Sequence, residues 1–313
     1  MRYLVAVLVL LALVGACGSS DDSKSSPTPA GSTPASTARG SPASSATPDS
    51  SSAIPLAHLR VTPSKDGRIS GHLYIALGDS LSAGVGASGF DPKKGFVGLV
   101  HDALPPDFAL LNLGVAGYDS RELIEKGELE RATSEIKDRN GDANPDNDVR
   151  AVTLEIGGND LLDIFFNFVL PGRCPSVAEG LQKPECVAQL RNALDLYEPN
   201  LDKILTTLQQ ADPHLNIFLM TLYNPFSGGS PALDELGEFS LEGRADTPFP
   251  EGLQDIIRRQ AQVHGVHLVE VYPLFEGKAH EYIAGDTIHP NDTGYRVMAD
   301  AVIAEMRAAG VIE

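Results

Sequence analysis

Between Ile54 and Glu313, five short apolar runs alternate with five longer amphipathic stretches. The runs are His72–Leu77, Phe108–Leu113, Val149–Ile156, Leu215–Leu222 and Val266–Val271, bounded by Gly, Pro or Asn as buried strands are. The stretches are Phe96–Leu104, Arg121–Lys137, Val187–Gln210, Glu251–His264 and Thr293–Ala309, and their apolar spacing predicts helices. Strand–helix alternation of this kind gives a parallel sheet covered by helices on both faces, an α/β fold. Two stretches interrupt it. Leu161–Leu170 is almost wholly apolar, and Phe226–Gly252, rich in Gly, Pro, Ser and acids, is expected to be a long surface loop.

The first 53 residues do not belong to this pattern. Met1-Arg2 precedes an apolar run from Leu4 to Ala16. As a helix it would cover roughly 20 Å, short of the ~30 Å hydrocarbon core of a bilayer. A short apolar run behind a basic residue is a secretory signal rather than a spanning helix. Its end, Val14-Gly15-Ala16-Cys17, resembles a bacterial lipoprotein signal, in which small residues precede a cysteine that becomes the lipid-bearing N-terminus. We expect a signal over residues 1–16 and an acyl anchor on Cys17. A tether over 17–53, too rich in Ser, Thr, Pro, Ala and Gly to order itself, is expected to lead into a domain over 54–313. The protein would then be exported and held on the extracytoplasmic side of the cell membrane by its lipid.

Charge and cysteine content narrow the partners. A formal net charge of −18 disfavours nucleic acid and anionic lipid headgroups, and none is expected as a partner. We expect a monomer. Besides Cys17 the chain has Cys174 and Cys186. An exported chain permits a disulfide between them, which would contribute about 3 kcal/mol in the chain-entropy model; two free thiols are the alternative. No C-x-x-C or nearby histidine completes a zinc site, so no metal is expected.

Chemistry-bearing residues fall at the ends of the apolar runs. Gly78-Asp79-Ser80-Leu81 follows the first, Asn112-Leu113-Gly114 closes the second, Gly157-Gly158-Asn159-Asp160 follows the third, and Asp286-x-x-His289 follows the last. Open parallel sheets bind ligands at the carboxyl ends of their strands, so these segments converge on one edge. A serine hydroxyl attacks esters slowly unless a histidine takes its proton and a carboxylate orients the histidine. Asp286 can reach back to the imidazole from the same turn. Asp160 is expected to cap the helix that follows it.

These blocks resemble the SGNH hydrolases, also called the GDSL esterase/lipase family, whose four named residues match here in order as Ser80, Gly114, Asn159 and His289. The resemblance implies a three-layer α/β/α sandwich with a five-stranded parallel sheet of flavodoxin-like type, in order 2-1-3-4-5. It also implies carboxylic ester hydrolysis without a metal or organic cofactor. The substrate would be a small-molecule or lipid ester. Ser80 would be the nucleophile, with His289 and Asp286 as its acid–base partners. The backbone N–H groups of Ser80 and Gly114 and the Asn159 amide would stabilise the oxyanion. Activity is then expected to fall in acid as His289 becomes charged.

Other features are weaker. Gly84-Val85-Gly86-Ala87-Ser88-Gly89 matches a dinucleotide fingerprint, but Asp91-Pro92 follows where a helix should open, so we assign it to the loop after the nucleophile. Asp138, Asn140, Asp142, Asn144, Asp146 and Asp148 alternate as in calcium loops, yet the sixth residue is Ala143 and no glutamate stands at the twelfth; turns built on Asx side chains are expected. Leu161–Phe166 either lines an acyl pocket or forms a core helix, and we favour the core. Against an exported esterase stand a tethered binding protein of the same fold without turnover and an esterase acting on glycan O-acetyl groups.

Overall fold

The five apolar runs become β1 (Leu73–Gly78), β2 (Ala109–Gly114), β3 (Val149–Glu155), β4 (Ile217–Met220) and β5 (His267–Val269), in a computed structural model that describes residues 71–313. They form one sheet in the order β2-β1-β3-β4-β5, each neighbouring pair parallel. The expected order and fold class are therefore the observed ones. The signal, Cys17, the tether and the start of the domain from 54 lie outside the described residues.

Among the described residues, ten α-helices lie between and after the strands. In chain order they are α1 (Phe96–Ala103), α2 (Ser120–Glu125), α3 (Glu128–Asn140), α4 (Gly158–Ile164), α5 (Val177–Gly180), α6 (Pro184–Ala211), α7 (Pro231–Glu242), α8 (Leu253–His264), α9 (Ala279–Tyr282) and α10 (Asp292–Ala308).

Every residue of β1 is buried, because the central strand of a two-faced sheet meets protein on both sides. Its side chains alternate between two cores. Leu73, Ile75 and Leu77 pack with Ile136 of α3, Leu201 and Leu205 of α6 and Ile257 of α8. Tyr74 and Ala76 pack with Phe96 and Val100 of α1 and Met298 and Val302 of α10. Burying one such aliphatic side chain is worth about 1.5–3 kcal/mol, which fixes both layers on the sheet. The strand ends are level: Gly78 is in register with Gly114 on one side and Glu155 on the other.

Three stretches differ from expectation. Arg121–Lys137 is two helices rather than one, because Gly127 takes a left-handed φ of 109° between α2 and α3. Phe226–Gly252 is not a plain loop. It contains α7, which starts with Pro231 at its first helical position and buries Phe239 and Leu241. Leu161–Leu170 is the end of α4 followed by a π-helical turn over Phe165–Val169, with none of its side chains fully buried. The core assignment is corrected: several of these side chains face a cavity, described below.

Candidate active site

The segment after β1 turns sharply. Ala83 N–H donates to Asp79 O at 3.0 Å and Val85 N–H to Ser80 O at 2.9 Å. Asp79 accepts from Leu81 N–H at 3.0 Å through Oδ1, which fixes the carboxylate beside the serine. Ser80 thus sits in a turn, not at a helix cap, and among the described residues its N–H meets no acceptor.

The partner loop is equally constrained. Asp286 Oδ1 accepts from the N–H groups of Ile288 (3.0 Å) and His289 (2.9 Å), while Oδ2 accepts from His289 Nδ1 at 2.7 Å. Thr287, between them, has a φ of 68°, a left-handed conformation that a β-branched residue adopts only when its surroundings enforce it. Tyr223 contributes by donating its hydroxyl to Ile288 O at 2.8 Å.

These two loops bring Ser80 and His289 together. The Ser80 hydroxyl lies 2.9 Å from His289 Nε2 and 3.4 Å from Asp79 Oδ1, so its single proton goes to the shorter contact. Nδ1 faces a carboxylate and therefore carries the ring proton, leaving Nε2 as the acceptor. Burial alone would raise the Asp286 pKa. Hydrogen bonds from the imidazole and from two backbone N–H groups outweigh it and hold the carboxyl below its usual range.

The third loop supplies Asn159, the second residue of α4. Its Nδ2 donates to Tyr118 O at 2.8 Å and to Asp79 Oδ2 at 3.1 Å, which draws the amide toward the Ser80 loop. Asp160 does not cap its own helix. It accepts from Ser120 N–H (2.9 Å) and Oγ–H (2.6 Å), tying the segment after β3 to the start of α2, and burial raises its pKa to about 6.

Gly114 does not fit the role expected of it. Its N–H already donates to Asn112 Oδ1 at 2.9 Å, and Asn112 Nδ2 donates to Ser82 O at 2.7 Å. The side chain of β2's own asparagine thereby takes the amide. Three residues on, Gly117 occupies a tight turn in which Tyr118 N–H donates to Val115 O at 3.2 Å. Its φ is 87°, and among the described residues its N–H has no acceptor. The carbonyl of the next residue, Tyr118, holds Asn159, so this turn lies beside the amide. The second glycine of Asn-x-Gly-x-x-Gly over 112–117 was the signal available for it.

Two buried carboxyls lie behind Ser80. Asp79 is 2% exposed and Glu155, the last residue of β3, is fully buried. Burial raises the pKa of both, and the Asp79 carboxylate pushes Glu155 further up. Among the described residues no N–H or hydroxyl donor reaches either oxygen of Glu155, whose carboxyl meets only that of Asp79. An uncompensated buried charge there is unfavourable, so Glu155 is held protonated.

An apolar cavity of about 170 Å³ opens from Ser80 and His289. Leu161 and Phe165 form one wall, Leu236 and Phe239 of α7 another, and the segment around Cys174 and Cys186 a third. Those two cysteines are joined in a disulfide. The alternating acids of Asp138–Asp148 form local turns: Asp142 accepts from Asn144 N–H and Asn147 Nδ2, and Asn144 accepts from Asp146 N–H.

The chain is similar to known proteins. The chain is 27% identical over 247 residues to the uncharacterized protein YpmR of Bacillus subtilis, covering 77% of this chain and 84% of that one. It is 25% identical over 242 residues to the spore germination lipase LipC of Bacillus licheniformis, covering 76% and 95%. The crystal structure of the lipase Lip_vut3 from a goat rumen metagenome superposes with a TM-score of 0.51 at 21% identity, covering 75% of this chain and 97% of that one, a likeness of fold. The model of one family spans residues 76–297, from inside β1 into the C-terminal helix, and so takes in the serine, asparagine and histidine loops described above. With that match over most of its length, the chain belongs to the GDSL-like lipase/acylhydrolase family.

Proposed function

We propose that this protein hydrolyses carboxylic esters through Ser80, as an exported enzyme anchored to the membrane by lipid on Cys17. One observation carries the catalytic part: His289 Nε2 lies 2.9 Å from Ser80 Oγ while Asp286 holds the opposite ring nitrogen at 2.7 Å. Membership of a family of acyl hydrolases supports the same reading.

The chemistry follows from those contacts. His289 takes the hydroxyl proton on Nε2 as Oγ bonds to the ester carbonyl carbon, giving a tetrahedral oxyanion. When the C–O bond to the alcohol breaks, the proton on Nε2 passes to the departing oxygen. Water then attacks acyl-Ser80 with the same base, releasing the carboxylic acid and restoring the serine. Asp286 stays ionised, orients the ring and offsets its charge. For the oxyanion the free donors are Ser80 N–H and, in place of Gly114, Gly117 N–H. The Asn159 amide joins them by exchanging its longer bond, to Asp79, for the oxyanion.

Ser80→Ala tests the mechanism: turnover is lost and a fluorophosphonate no longer labels the protein, while the melting temperature is retained. Wild-type protein that neither turns over esters nor reacts with the fluorophosphonate would leave a binding protein of the same fold. Cys17→Ser tests the anchor, and is expected to move the protein out of the membrane fraction.

A further inference from the structure

The cavity beside Ser80 is built for hydrocarbon. Beyond the catalytic loops its hydroxyls are those of Ser176, Tyr223 and Ser240. Each is already engaged within the protein. Ser176 Oγ accepts from Glu179 N–H at 3.2 Å, Tyr223 donates to Ile288 O at 2.8 Å, and Ser240 donates to Leu236 O at 2.8 Å. A glycan would bring more hydroxyls into this space than these three side chains could pair, and each unpaired polar group is unfavourable there. An acetyl group would leave most of the cavity unfilled.

One wall has an unusual construction. It comes from the short segment between Cys174 and Cys186, whose helix α5 is only four residues long. A helix that short does not hold itself in water. The disulfide fastens its two flanks, with Cα atoms 6.0 Å apart, against the first turn of α6. Both cysteines and Val177 face the cavity that also holds Ser80 and His289. Val177 in turn packs with Leu190, Phe239 and Phe249, so this wall is continuous with the α7 side of the cavity.

We propose that the Cys174–Cys186 segment is the chain-length determinant of this enzyme, and that the site takes esters of medium-chain unbranched fatty acids with the acyl chain lying against that wall. The proposal rests on Ser80 being the nucleophile. Each methylene transferred from water to such a surface is worth roughly fourfold in kcat/KM while the cavity has room.

The experiment is a series of p-nitrophenyl esters from acetate through butyrate and octanoate to palmitate. It is run on the wild type, on the wild type treated with a thiol reductant, on Val177→Trp and on the double variant Cys174→Ser/Cys186→Ser, with melting curves for each. In the oxidised wild type kcat/KM is expected to rise at least tenfold from acetate to octanoate. Val177→Trp, which fills the cavity, is expected to lower the octanoate-to-acetate ratio at least tenfold, and loss of the disulfide at least fivefold. A wild type that prefers acetate overturns the substrate class. An unchanged ratio in folded Val177→Trp and in reduced protein overturns the wall as determinant. If the cysteine variant does not fold, the wild-type profile and Val177→Trp decide. Failure of the underlying reading looks different: hydrolysis persists in Ser80→Ala, or a fluorophosphonate leaves Ser80 unlabelled.

Discussion

Gly86 passes so close to His289 that a β-carbon on it would lie 2.7 Å from the histidine Cβ and 2.5 Å from Pro290 O. Its φ of 97° is also one that L side chains rarely adopt. The glycine-rich stretch after the nucleophile is thus the surface on which the histidine loop rests. Gly86→Ala is expected to displace the imidazole from Ser80 and lower kcat on the order of 10²-fold, the usual penalty for a misplacement near 1 Å. Steady-state kinetics and the rate of Ser80 labelling should fall together; labelling at the wild-type rate would show that the loop accommodates the methyl.

Asn159→Ala removes one oxyanion donor and should lower kcat by roughly 10²–10³. It also frees Asp79 Oδ2 and Tyr118 O, so a drop in melting temperature is expected with it. A loss of tenfold or less in kcat would assign Asn159 to structure alone.

Asp286 is held below the usual carboxylate range, so it stays ionised across the acid side of the activity profile. One proton then governs the acid side of the profile, and log kcat/KM should fall there with a slope of one. A slope of two would mean that Asp286 titrates there as well. The sign for stability follows from the same direction. A depressed carboxyl stabilises the fold above its unfolded pKa, and that contribution disappears as pH falls through the folded value. Asp286→Asn should therefore unfold more readily than wild type at neutral pH, with the difference closing in strong acid.

Glu155 shows the opposite sign. Its pKa is raised well above the ordinary 4.5, so the fold favours the protonated form. Below that ordinary value both folded and unfolded chains carry the proton and nothing is lost. As pH rises beyond it, the unfolded chain ionises while the folded one resists, and stability declines. Glu155→Gln keeps the shape without the proton. Its melting temperature should match wild type near pH 4 and exceed it increasingly toward pH 8. A constant difference across that range would mean that Glu155 does not titrate differently in the two states.

Much of this site was visible along the chain. Leu73–Gly78 and Ala109–Gly114 begin and end within one residue of the apolar runs that announce them, because a strand buried on both faces must be apolar throughout. Ser80, Asn159 and His289 could be named because each directly follows such a run or a short motif. Gly114 shows the limit. Its position at a strand end was right, but whether its N–H was free depended on where the Asn112 side chain turned. α7 was missed because Gly237, Pro231 and the acids around them resemble a loop locally, while the contacts that make it helical come from Phe249 and Leu190 elsewhere in the chain.

The order of residues by itself determined the sheet, its parallel sense and which loops carry Ser80, Asn159, Asp286 and His289, since apolar periodicity and turn chemistry are properties of neighbouring residues. The tertiary structure alone decided which donors remained open, which carboxyl burial pushes toward its protonated form and that an apolar cavity opens beside Ser80. Those depend on burial and on partners that meet only after folding, as when 209 residues separate the Ser80 hydroxyl from the imidazole it touches.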